Sequence, residues 1–187
     1  MKRIPFIQKD ETEGEAAETW EALPFDLALF HIAAHAQNVF QSWLTFNGTC
    51  WHRDPDGMAP LLKEMAVVYA SALSNSPYEE ANHSVGILRE GGTQEQVDAL
   101  VKARDPKADV FDETQKLMLQ FTDEVVKDGR ATEATLAAMS EAFSNKQIVQ
   151  LVYAICTYMM NSRLANLGDL KGGDDEDFGT TFTSRKK

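Results

Sequence analysis

The sequence predicts an all-α protein. No stretch alternates apolar and polar residues with the period of two that a half-buried strand requires, and four helix-start signals punctuate the second half of the chain. Thr93 with Gln96, Asp112 with Gln115 and Ser144 with Gln147 have the spacing of capping boxes, and Thr132 is a fourth cap. At 187 residues with 43% hydrophobic content, the chain suits one globular domain with a sizeable core.

Taken in order, residues 1 to 12 read as a polar, extended arm able to pack on a neighbour. Residues 13 to 23 read as a short helix with Trp20 and Leu23 on one side, closed by Pro24. From residue 25 to 46 the apolar positions Leu27, Phe30, Ala34, Val39, Phe40, Trp43 and Leu44 recur at helical spacing, giving one long amphipathic helix on which His31 and His35 share a face. Gly48, Pro55 and Gly57 make residues 47 to 57 a loop, and Pro60 falls in the first turn of the next helix.

The stretch from Glu64 to His83 organises the rest. Glu64 opens an apolar run from Met65 to Leu73, so a carboxylate sits where burial is expected and a partner is needed. The run stops at a Ser74-Asn75-Ser76-Pro77 turn. There Ser76 is placed to cap a second helix, Pro77 suits its first position, and Glu79 stands third as the capping-box acid. Glu79 and His83, four apart, share a face of that helix, which ends at Gly91-Gly92. Glu64 lies about 15 Å back from the turn and His83 about 10 Å forward, so antiparallel packing brings the three groups within about one turn of each other.

Further along, Val97, Leu100 and Val101 mark a short helix that stops near Asp105-Pro106, and Leu117, Leu119, Phe121 and Val125 mark one that runs to Gly129. Leu136 and Met139 mark a third. The last helix is apolar nearly all round from Ile148 to Met160, which predicts burial in the core or between subunits. From Gly172 onward, Gly, Asp, Thr and Lys dominate, so residues 169 to 187 are expected to form an acidic, unfolded tail.

The spacing of the central stretch resembles the alkylhydroperoxidase AhpD branch of the carboxymuconolactone decarboxylase superfamily. The family signature is a glutamate, eleven residues, a cysteine, two residues, a second cysteine, three residues and a histidine. Glu64 matches the glutamate, Ser76 and Glu79 the two cysteines, and His83 the histidine. The sequence is therefore similar to the cysteine-less members, with Tyr78-Glu79 preceding the histidine. The likeness spans residues 25 to 168, through Leu29 to His35 upstream and Phe111-Asp112-Glu113, Phe143-Ser144-Asn145 and Leu167-Gly168 downstream. It implies an AhpD-like helical bundle around a central helical hairpin, assembled as a trimer or hexamer, acting on a small molecule without a cofactor.

Net charge excludes some partners. With 18 Lys and Arg against 29 Asp and Glu, a net charge of −11 argues against a nucleic-acid or anionic-membrane surface. Overall charge also fails to steer anionic substrates inward. The basic residues Lys2 and Arg3 are not followed by the apolar core of a signal peptide, and no transmembrane run appears. Cys50 and Cys156 read as free thiols, so a cytoplasmic protein is expected.

His83, with Glu64 and Glu79, is the candidate catalytic group, because imidazole titrates near neutrality and a carboxylate fixes its tautomer. Each has a plainer reading: a surface His paired by spacing, a solvated first-turn carboxylate, a capping acid. Tyr78, Ser76, Asn161 and Arg163 are candidate substrate contacts, although Tyr78 can equally pack its ring and the Asn161–Arg163 cluster can bond the last turn's carbonyls. A metal would need His31 and His35 to approach Glu79 and His83, and no metal site is expected. Cys50 near His52 reads as a surface thiol and Cys156 as core filling.

Three functions follow from these residues. The first is acid/base chemistry on a small carbonyl compound, with decarboxylation or a related lyase reaction as the form suggested by the resemblance. The second is peroxide reduction, which needs the missing pair of thiols. The third is a non-catalytic binder or oligomeric scaffold. A His83 buried beside Glu64 at a cavity would separate the first from the third.

Overall fold

The computed structural model describes residues 4–175, and within them every regular element is helical. Nine α-helices run in the order α1 (Gly14–Glu21), α2 (Ala28–Ala33), α3 (Gln37–Cys50), α4 (Pro60–Leu73), α5 (Pro77–Arg89), α6 (Gln94–Asp98), α7 (Glu113–Asp128), α8 (Glu133–Ala142) and α9 (Asn145–Gly168). No helix among the described residues is long and apolar enough to cross a membrane.

The expected capping boxes at Thr93, Asp112 and Ser144 all form, and Thr132 accepts from the Thr135 backbone N–H. Gly129, at a left-handed φ of 72°, ends α7. The box at Ser76 does not form. Its hydroxyl makes no cap bond and is buried without a hydrogen-bond partner among the described residues, because the Glu79 side chain turns inward instead of back to the helix start.

Helix α4 is the centre of the bundle. It packs antiparallel on α5 and touches α7 and α9, burying every residue from Lys63 to Ala72. Met65, Tyr69, Leu100, Met118, Leu119, Leu151 and Ile155 fill the main core around it. A second, aromatic core lies under the N-terminal elements, where Trp20 and Phe40 are fully enclosed and Phe30 and Trp43 stack around them.

Several expectations need correction. The long helix over residues 25 to 46 is two helices, broken at residues 34 to 36, and α3 continues through Gly48 to Cys50 rather than ending in a loop. The break lets His35 turn toward the N-terminal arm, where its Nε2 lies 2.8 Å from the Pro5 carbonyl. The arm packs on its own chain: Ile7 is buried, its N–H reaches the His31 carbonyl at 3.1 Å, and His31 Nδ1 lies 2.8 Å from the Ile7 carbonyl.

Within one chain, helix α9 is enclosed on one side only, and burial of the other between subunits is not contradicted. One face buries Leu151, Ile155 and Tyr158, while Val149, Tyr153, Met160 and Leu167 form an exposed apolar stripe on the other. Cys156 lies on that exposed side rather than in the core. Of the acidic segment assigned to an unfolded tail, Asp175 packs back onto the body, accepting hydrogen bonds from the Ala28 backbone N–H at 2.7 Å and from the Tyr78 hydroxyl. Residues 176–187 of that segment lie outside the described residues.

Candidate functional site

Antiparallel packing of α4 on α5 joins the two ends of the hairpin. Glu64, 3% exposed, accepts a hydrogen bond from His83 Nδ1 at 2.8 Å on one oxygen and from Arg89 Nη2 at 3.1 Å on the other. Two further contacts on the same helix complete this arrangement. Glu79 Oε2 stands 3.8 Å from His83 Nε2, and Gly86 leaves the space that the Glu64 carboxylate occupies. A Cβ at position 86 would lie 2.3 Å from the Glu64 carboxyl carbon, so only glycine admits this packing. Neither plainer reading of Glu64 or Glu79 survives: both are buried and both face His83.

Two aromatic rings that the sequence did not single out hold the imidazole. Trp51, just past the end of α3, stacks on it at 5.2 Å between centroids, and Tyr158 of α9 meets it edge-on at 4.4 Å. Trp51 Nε1 donates to the Tyr158 hydroxyl at 2.7 Å, which locks the two rings together. Only one signal in the sequence pointed this way: Tyr158 places a hydroxyl on the otherwise apolar face of α9, and a buried tyrosine needs a partner for it.

A cleft of about 970 Å³ opens at this point, with Glu64, His83, Trp51 and Tyr158 in its wall and Lys63, Arg53 and Arg89 among its cations. Along one side runs a ladder of charges. Arg53 Nη2 donates to Glu90 at 3.1 Å, Arg89 Nε reaches Glu90 at 3.3 Å, and Arg89 then reaches Glu64.

Burial separates the two carboxylates. It pushes the Glu79 pKa up to about 7, with His83 opposing and Asp175 adding to the shift. One Glu79 oxygen has no hydrogen-bond partner among the described residues, whereas both Glu64 oxygens are engaged. Burial likewise raises the Tyr158 hydroxyl well above its ordinary value, with Glu79 and Glu64 adding to the effect.

The other candidate contacts lie elsewhere. Tyr78 is buried in the aromatic core with its hydroxyl on Asp175, and Ser76 is enclosed at the turn. Asn161 accepts from Trp43 Nε1 at 3.1 Å and donates to Asn47 at 2.7 Å, bracing α3 against α9. Arg163 bonds its own helix at the Met159 carbonyl. His31 and His35 hold the arm, and among the described residues no group of three metal-ligating side chains gathers. Cys50 is half-buried with Sγ 3.8 Å from Thr157 Oγ1.

With this geometry in view, comparison with known proteins is informative. No family model and no curated protein matches the chain. Among solved structures, an uncharacterized peroxidase-related protein from Ralstonia eutropha JMP134, described as an alkylhydroperoxidase AhpD core, superposes with a TM-score of 0.72 at 21% identity over 88% of each chain. The chain has the AhpD-core fold. A second neighbour, an uncharacterized peroxidase-related protein from Silicibacter sp. TM1040, gives a TM-score of 0.65 at 18% identity over 82% of this chain and 80% of that one.

The raised Glu79 pKa has a measurable consequence. Between the ordinary carboxylate value of 4.5 and about 7, the folded protein holds a proton that the unfolded chain has released. Stability therefore falls as pH rises through that window, by up to about 1.4 kcal/mol per pH unit. Urea unfolding from about pH 5 to about pH 8 should show this slope in the wild type and a shallower one in Glu79→Gln, since glutamine carries no titrating proton. Identical slopes would show that Glu79 titrates as an ordinary carboxylate.

Proposed function

We propose that the protein is an acid/base enzyme acting on a small carbonyl-bearing molecule, in the manner of a decarboxylase or related lyase, with His83 as the proton-transfer group. The observation that carries this reading is the buried Glu64–His83 hydrogen bond at the wall of a cleft. Glu64 fixes Nδ1 as the donor nitrogen and stabilises the imidazolium that forms when the ring accepts a second proton. Nε2, with Glu79 3.8 Å away, exchanges the proton with substrate, and the pKa of Glu79 near 7 suits a group that shares protons at neutral pH.

A second reading, peroxide reduction, draws on the peroxidase-related descriptions of both structural neighbours. It requires a thiolate and a resolving thiol, and the hairpin carries Ser76 and Glu79 at the two positions where the resembled family has them. The two free thiols, Cys50 and Cys156, are no substitute: both lie on other helices, and burial raises the Cys156 pKa, which disfavours the thiolate.

A homo-oligomer belongs to the same proposal. Val149, Tyr153, Met160 and Leu167 on α9, with Phe46 of α3 against Tyr153, form an exposed apolar stripe of the kind that a subunit contact would cover. Sedimentation should give a species several times the 20.8 kDa chain, and a monomer at micromolar concentration would refute it.

A thermal-shift screen of small carbonyl compounds identifies substrates to assay. Turnover of a hit should fall about 10²- to 10⁴-fold in His83→Gln and comparably in Glu64→Gln, the usual share of general acid/base catalysis, with binding changed far less. Unchanged turnover in both variants would overturn the reading. Hydroperoxide turnover that is abolished by joint replacement of Cys50 and Cys156 with serine would establish the second reading instead.

A further inference from the structure

Lys63 is placed at three separate costs. It is 6% exposed, so most of the side chain has left water. It sits at the start of α4, where the positive end of the helix dipole disfavours a cation. Among the described residues, no carboxylate lies within ion-pair distance of it, although the chain as a whole carries a net charge of −11. Among the described residues its ammonium makes one hydrogen bond, to the Cys50 carbonyl at 3.1 Å, and its Nζ lies 5.6 Å from the centre of the Trp51 ring. An ammonium has three donors, and one is used.

The other cations of the cleft wall are already matched. Arg53 pairs with Glu90, Arg89 with Glu64 and Glu90, and His83 with Glu64. The start of α4 supplies no acid to match Lys63: its first turn contains none, and Ala59 and Pro60 line the same cleft. Burial pushes the Lys63 pKa down, opposed by Cys50, Glu64 and Asp54 nearby. A bound anion would oppose it further.

We infer that the cleft contains an anion subsite at the start of α4, built on the Lys63 ammonium, that takes the carboxylate of a small substrate. The cleft wall sets the cations Arg53, Lys63 and Arg89 against the carboxylates Asp54, Glu64 and Glu90, and of these cations Lys63 is the one with no carboxylate partner among the described residues. Placing the reactive carbon beside His83 rests on the acid/base reading proposed above, whereas binding at the subsite does not. The anchored carboxylate orients the remainder of the molecule along Trp51 and Tyr158 toward the imidazole.

Calorimetric titration with benzoate and with the neutral isostere benzamide tests this. The wild type should prefer benzoate by about 10-fold or more, the size of one charge-assisted hydrogen bond. Lys63→Met should bind both alike, Lys63→Arg should keep the preference, and His83→Gln should keep it too. Equal binding of the two probes by the wild type, no benzoate binding at all, or a preference that persists in Lys63→Met would overturn the inference. If Lys63→Met loses the preference while His83→Gln keeps full turnover, the subsite stands and the acid/base reading fails; the reverse pattern fails the subsite alone. A melting transition for each variant confirms that it is folded.

Discussion

The site depends on one constraint: a glutamate is buried in the helix at the centre of the bundle and must be matched there. The Glu64 carboxylate cannot be left unpaired at 3% exposure, because taking a charged or polar group out of water without partners costs several kcal/mol. Helix α5 supplies both partners, His83 and Arg89, together with the gap at Gly86 into which the carboxylate fits. The gap has a cost of its own, since glycine inside a helix is about 1 kcal/mol less favourable than alanine. Antiparallel pairing and the tight turn between the helices set the register that makes all three contacts possible. Asn75, in the left-handed region at φ 51°, is the residue that turns the chain.

Around this pair the bundle divides its carboxylates by environment. Glu64 is matched on both oxygens, while Glu79, on the far side of the same imidazole, is buried with one oxygen unmatched and titrates near neutrality. Two acids with different surroundings therefore flank one histidine. Trp51 and Tyr158 fix the ring between them and tie it to α3 and α9, so distant elements also position the histidine.

Local signals made much of this legible in the sequence. Capping pairs three residues apart marked three helix starts, and the Glu64-to-His83 spacing located the hairpin and its charged cluster. The failures share a physical cause. Ser76 with Glu79 looked like another capping box, but demand for a carboxylate beside His83 outweighed a local hydrogen bond worth about 1 kcal/mol. The break at residues 34 to 36 contains no Gly or Pro and follows from docking the N-terminal arm, a contact between distant parts of the chain. Trp51, Tyr158 and Lys63 reach the cleft from three different helices or their ends, and no spacing within one segment encodes that convergence. Asn161 and Arg163 were drawn toward the site by their polarity, yet they serve α9 and its contact with α3.

Nitrogen-detected NMR of the His83 ring tests the Glu64–His83 pairing most directly, with the signals assigned by their loss in His83→Gln. If Glu64 holds the imidazole, neutral His83 carries its proton on Nδ1, and Glu64→Gln alters that tautomer balance. A neutral ring protonated mainly on Nε2, with no response to Glu64→Gln, would contradict the pairing on which the site is built.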